Sequence, residues 1–363
     1  MIKVPFPKKT PKLLKIHGDV RIDNYYWLRD DSRKNKEVLN YLKKENKYSE
    51  EWFKKCKNDH KKIFQYYKDS IPNFEEGFKI NLDGYKYYST ASLSSEYRKY
   101  YRDFKNKKKL ILDVNREARN KSFYEISSVF PSRNHKYLAF GEDINGRREF
   151  SIVVKNINNN KIIEKNLCSS TGKVIWNKNS DGFFYLKKDS KTLITNSLYF
   201  HKLGTNVKKD RLIYREEDNQ YNLSLSLSRT KKYLFLETSK TESNEIWYLD
   251  LDSPDFSMKC FLKRQNKHLY YVDDTPDKFF ILSNKNAQKN FALYEASITK
   301  KSKFDWKLLV AHKNSELIED FLCFKDFIIL ETRKKGLPYL LQIDRKTNKK
   351  SYIKFEEEAY TLS

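Results

Sequence analysis

The sequence runs to 363 residues with 39% hydrophobic and 15% aromatic side chains, enough apolar material for one large core or two ordinary ones, which excludes a disordered chain. Its apolar runs are short pieces such as FFIL at 279–282 and FIIL at 327–330, far below the roughly 20 residues of a membrane helix, so no membrane partner is expected. A formal charge of +25 invites a nucleic-acid partner, but the lysines are scattered, as in KNKKK at 105–109 and NKK at 348–350, with no basic helix or recognition motif, and no nucleic acid is expected either.

The chain opens with MIKVPFPKKTPK, which lacks the apolar core of a secretory signal and whose prolines break any amphipathic transit helix. On that reading the protein is cytoplasmic. The next stretch, HGDVRIDNYYWLRDD at 17–31, sets charged residues around three adjacent aromatics. Tyr25, Tyr26 and Trp27 offer apolar area, while Arg21, Asp23, Arg29 and Asp30 can form ion pairs across a seam. The plainer reading of the same residues is that they order the start of a helix.

From Asn35 to Asp69 apolar residues recur at steps of three and four, including Val38, Leu42, Trp52, Phe53, Ile63, Phe64 and Tyr67, so the spacing predicts a helical stretch. Asn35 suits its cap, Glu37 suits the positive end of its dipole, and Ile71-Pro72-Asn73 stops it. Beyond Asn73 the pattern changes to short aromatic and β-branched runs separated by Asn, Asp, Gly, Ser and Lys, the signature of antiparallel strands.

These runs repeat. Aligning Tyr85, Tyr137, Phe183, Tyr233, Phe279 and Phe327 gives steps of 52, 46, 50, 46 and 48 residues, and each run is followed by a second strand. Units of this length built from several strands predict an all-β fold with an N-terminal helical segment: a β-propeller of about six four-stranded blades, each burying its two apolar faces against its neighbours. The expected division is an extended and helical segment at 1–75 and the propeller at 76–363.

The chemistry-bearing residues are sparse. Cys56, Cys168, Cys260 and Cys323 stand far apart, with no C-x-x-C pair and no adjacent histidine, so neither a metal site nor a disulfide framework is expected. The six histidines, at 17, 60, 135, 201, 268 and 312, share no motif and read as structural or solvated. No cofactor is expected.

The segment HGDVRIDNYYWLRDDSRKNKEVLNYLKKENKY at 17–48 resembles the N-terminal signature of oligopeptidase B, in the prolyl oligopeptidase family of serine peptidases. The likeness continues through ILDVNREA at 111–118, FYEISSVFPS at 123–132, RLIYREEDNQY at 211–221, KNFALY at 289–294 and QIDRKT at 342–347. It implies a seven-bladed propeller capping an α/β-hydrolase domain that cuts short peptides after Arg or Lys. It also implies that the N-terminal segment folds back on the hydrolase, making Arg21, Asp23, Tyr25, Tyr26, Trp27, Arg29 and Asp30 an interdomain clamp.

Against that pattern, the nine glycines include no pair bracketing a serine as G-x-S-x-G, so the sequence holds no nucleophile elbow. It stops at EEEAYTLS, within the sixth predicted blade. The expectation is therefore a propeller incomplete by one blade, with no catalytic residue, inactive alone and acting as a gate for short peptides when a catalytic polypeptide is supplied. The rival is a stand-alone propeller scaffold binding an acidic protein or peptide.

Overall fold

The computed structural model describes residues 3–189, 192–298 and 305–361. The chain divides into two compact units, Met1–Ile80 with Tyr88–Arg98, and Asn81–Tyr87 with Lys99–Ser363.

The first unit starts with a hairpin of two strands, Lys12–Ile16 and Asp19–Asp23, in register from Lys12 opposite Asp23 to Ile16 opposite Asp19. Its two turn residues, His17 and Gly18, have φ of 52° and 81°, the left-handed pair that a tight two-residue hairpin turn requires and that glycine supplies without strain. Two helices follow, α1 at Lys36–Lys54 and α2 at Lys57–Ser70. Asn35 caps α1 as predicted, its side chain accepting from the Glu37 amide at 2.9 Å, and Ile71 closes α2 in extended conformation.

The continuous helix expected over 35–69 is broken once, at Lys55 and Cys56. There the amides of both residues turn back three positions, to the carbonyls of Trp52 and Phe53. A turn that closes on three residues ends the α-helical ladder, and neither proline nor glycine is needed to do it. Phe53 and His60 then meet across the break with ring centroids 5.1 Å apart.

The remaining strands form antiparallel sheets. Three are four-stranded in simple up-and-down order and begin at Asn222–Leu227, Tyr270–Asp274 and Leu317–Cys323. The first sheet has five strands rather than the four expected, because Phe74–Glu76 and Ile80–Leu82 are both partners of Tyr85–Ser92. The second and third blades share one seven-stranded sheet. The cause is the 15-residue strand Ile162–Trp176. Its first half pairs with Phe150–Asn156 as the last strand of blade two, and its second half pairs with Gly182–Lys188 as the first strand of blade three.

Tyr85, Tyr137, Tyr233 and Phe327 begin the second strands of their blades, and Phe183 and Phe279 stand one residue in. Their neighbours explain the apolar runs. Phe183 and Tyr185 enter the seam between blades two and three, whereas Phe184 and Leu186 enter the seam between three and four. Likewise Phe279 and Ile281 face blade four, and Phe280 and Leu282 face blade six. Side chains alternate across a strand, so a strand buried on both faces must be apolar at every position. Each such side chain contributes about 2 kcal/mol by leaving water.

Candidate functional site

The clamp residues lie in the first unit, and most are engaged locally. Asp23 Oδ1 accepts from the Tyr25 amide at 2.8 Å, and Trp27 Nε1 donates to the Lys8 carbonyl at 2.7 Å. Tyr26 lies under the Lys12 ammonium, 3.5 Å from its ring centroid. Trp27 meets Tyr41 edge-on, with centroids 6.0 Å apart. Asp30 accepts from the Ser32 hydroxyl at 2.6 Å and from the Asn35 amide at 2.7 Å, bonds that lower its pKa and steer the chain into α1.

The ion pair of this segment joins Arg29 to Asp31 at 3.3 Å, in full contact with solvent. Among the described residues Arg21 makes no ion pair. Arg21, Tyr25 and Arg29 are thus exposed, while Asp23, Tyr26, Trp27 and Asp30 are half-buried within the segment. The half-buried four order the approach to α1, and the exposed three remain open to a partner.

More apolar area is open here than the sequence pattern suggested. Trp52, Ile63, Phe64, Tyr66 and Tyr67 on the helices are 50%, 54%, 67%, 73% and 64% exposed. On the hairpin, Leu13, Ile16, Val20 and Ile22 are exposed as well. The hairpin has a turn signal in the sequence, the His-Gly pair between LLKI and DVRI.

The second unit holds a cavity of about 440 Å³ where the first strands of blades two, three and four converge. Apolar walls come from Val129, Phe130, Val174, Ile175, Trp176 and Leu227, and the charged lining from Asp83, Arg133, His135, Lys173 and Lys231. His135 Nδ1 is 3.0 Å from the Tyr87 hydroxyl, and its Nε2 is 3.5 Å from Asp83. Burial pushes the His135 imidazole down, against the opposing pull of Asp83, so it is neutral near pH 7. A signal for this cluster stands in the sequence, since Ser132-Arg133-Asn134-His135-Lys136-Tyr137 and Ser228-Arg229-Thr230-Lys231-Lys232-Tyr233 are the same turn in the second and fourth repeats.

No histidine is arranged for catalysis among the described residues. His268 Nε2 lies 2.8 Å from Ser283 Oγ, but both are buried, and the other ring nitrogen has no partner to orient it. His201 is held between Glu164 and Asp210 with no serine beside it. Cys56, Cys260 and Cys323 are free thiols, and the Cys168 side chain lies outside the described residues. Among the described residues no cluster of His, Cys, Asp or Glu could hold a metal, and no helix is long and apolar enough to cross a membrane.

Helices followed by sequential, mostly four-stranded antiparallel blades define a β-propeller with an N-terminal helical segment. The sequence matches the profile described as "Prolyl oligopeptidase, N-terminal beta-propeller domain" over residues 5–363, and the chain belongs to that family.

Among curated relatives it is 28% identical to dipeptidyl aminopeptidase BI of Pseudoxanthomonas mexicana, covering 99% of this chain and 52% of that protein. It is 27% identical to protease 2 of Moraxella lacunata, covering 100% of this chain and 53% of that protein. The chain spans about half the length of the relatives it matches. In fold it is similar to oligopeptidase B from Leishmania major, with a TM-score of 0.92 at 22% identity over 98% of this chain and 54% of that one. Oligopeptidase B from Trypanosoma brucei gives a TM-score of 0.90 at 24% identity, again over 98% of this chain and 54% of that one.

Proposed function

We propose that this chain is the propeller part of an oligopeptidase B-like serine peptidase that cleaves short peptides after Arg or Lys in the cytoplasm, with the propeller filtering substrates by size. Residues 1–75 serve as the clamp on the catalytic α/β-hydrolase polypeptide, and 76–363 as the filter. The observation that carries this reading is the open apolar face of the first unit, on which Trp52, Phe64, Tyr66 and Tyr67 are half or more exposed. Aromatic area on that scale is costly to leave in water and suits a permanent partner. In the clamp, Arg21, Tyr25 and Arg29 reach across, while Asp23, Tyr26, Trp27 and Asp30 hold the segment in shape.

The test is complementation. The DNA following this reading frame, read in all three frames, is searched for a G-x-S-x-G elbow followed by Asp and His, and that polypeptide is produced with and without this chain. Cleavage of a fluorogenic Arg-ending peptide that needs both chains, and that is blunted by Trp52→Ala with Phe64→Ala, supports the reading. Full activity of the catalytic polypeptide alone, with folded proteins excluded equally well, defeats it.

A second reading, a free-standing scaffold for an acidic protein or peptide, is favoured by the charge of +25. It requires no catalytic polypeptide, and its signature is salt-sensitive binding of an acidic partner by this chain alone.

A further inference from the structure

The cavity of the second unit has a charge pattern that the filter reading does not use. Four basic side chains, Arg133, His135, Lys173 and Lys231, share its lining with one carboxylate, Asp83. That carboxylate is already engaged, 3.5 Å from His135 Nε2 and 3.9 Å from Lys231 Nζ. The Arg133 guanidinium donates to the Lys231 carbonyl, which anchors its position, and among the described residues it makes no other hydrogen bond. Lys173 stands apart: among the described residues it has neither a carboxylate nor a hydrogen-bond partner. It sits on the first strand of blade three, exposed at the cavity that Phe130 and Leu227 also line.

We propose that this cavity binds a carboxylate carried on an apolar body, with Lys173 and Arg133 taking the charge and Val129, Phe130, Ile175 and Leu227 taking the body. The C-terminus of a short apolar peptide is one source of that chemistry, and a free aryl or alkyl acid is another. The volume of about 440 Å³ falls within the range of small-molecule sites, which are mostly apolar with a few placed polar groups. The surrounding protein draws the Lys173 pKa down, and a bound carboxylate would pull it back toward its ordinary value. A basic site of this kind favours anionic ligands over neutral ones of the same shape, because only the anion gains a charge-assisted contact to the lysine. The site stands on these residues alone, whether or not the chain serves a peptidase.

The experiment is calorimetric titration of the 363-residue chain with N-acetyl-Phe-Leu, its C-terminal amide, phenylbutyrate and inorganic phosphate. The acid is expected to bind about tenfold more tightly than the amide, the usual worth of a charge-assisted contact. Lys173→Met should abolish that difference and Lys173→Arg should keep it, with circular dichroism unchanged in both. Phenylbutyrate matching the peptide acid, with the same dependence on Lys173, assigns the site to apolar acids at large. Phenylbutyrate binding more weakly assigns it to peptide C-termini. Equal binding of acid and amide by the unaltered chain, no binding of either, unchanged acid affinity in Lys173→Met, or phosphate binding as tightly as the acid would each overturn the proposal.

Discussion

His201 Nδ1 lies 2.7 Å from Asp210 Oδ1, while its Nε2 meets Glu164 on the opposite side, so a fully buried imidazole is clasped between two carboxylates. Tyr185 extends the network by donating to Asp210 at 2.8 Å. Glu164 belongs to the half of its strand that lies in blade two, and His201 and Tyr185 to blade three, so the network fastens one blade to the next.

Burial alone would lower the pKa of His201, but its hydrogen bonds to Glu164 and Asp210 and their charges outweigh burial and raise it. A raised folded pKa stabilises the fold fully below the unfolded value of about 6.5, and that contribution is lost as pH climbs through the folded value. Urea midpoints should therefore fall between pH 6 and pH 9. In His201→Gln this slope should flatten, and stability at pH 6 should drop by about 3 to 5 kcal/mol, because two buried carboxylates lose their partner.

Gly172 is the point where the long strand passes from blade two to blade three. Its φ is +79°, and an added Cβ would stand 2.7 Å from the Ser127 Cβ and 2.9 Å from the Phe150 Cγ. Gly172→Ala should destabilise the chain by about 2 to 4 kcal/mol, combining left-handed backbone strain with overpacking. Gly204→Ala is the control, since its φ of +80° is similar but nothing lies within 4 Å. It should cost about 1 kcal/mol. Equal midpoints for the two variants in thermal or urea unfolding would show that the crowding at Gly172 relaxes freely.

The 363-residue chain by itself should not hydrolyse a fluorogenic Arg-ending peptide, because none of its nine glycines joins another in a G-x-S-x-G elbow. The assay is run on purified chain with a serine-directed inhibitor as the control. Turnover that persists through purification and is blocked by that inhibitor would contradict this.

The open apolar face should make the isolated chain associate with itself or bind the dye ANS. Covering even about 400 Å² of such surface is worth about 10 kcal/mol before entropic and desolvation costs. Sedimentation at two concentrations and ANS fluorescence measure it, with Phe64→Ser and Tyr66→Ser together expected to weaken both signals. A stable monomer that ignores ANS would show that the clamp has no face to offer.

What the sequence determined by itself is what depends on neighbours in the chain. The repeat of about 50 residues, the second strands beginning at or one residue before Tyr85, Tyr137, Phe183, Tyr233, Phe279 and Phe327, and the Asn35 cap are all local: strand periodicity and helix capping are written within a few residues. The family resemblance was legible for the same reason, being carried by short ordered motifs such as HGD and WLRDD.

Only the tertiary structure decided which side chains meet. Glu164 and His201 are 37 residues apart, and the cavity gathers Asp83, Arg133, Lys173 and Lys231 from separate repeats. It also parted the clamp residues, turning Asp30 inward to Ser32 and Asn35 and pairing Arg29 with Asp31. A charge in sequence declares only that it will seek a partner or water. Which of the two it finds depends on the register and stacking of strands far from it, and those are settled by burying both faces of every blade at once.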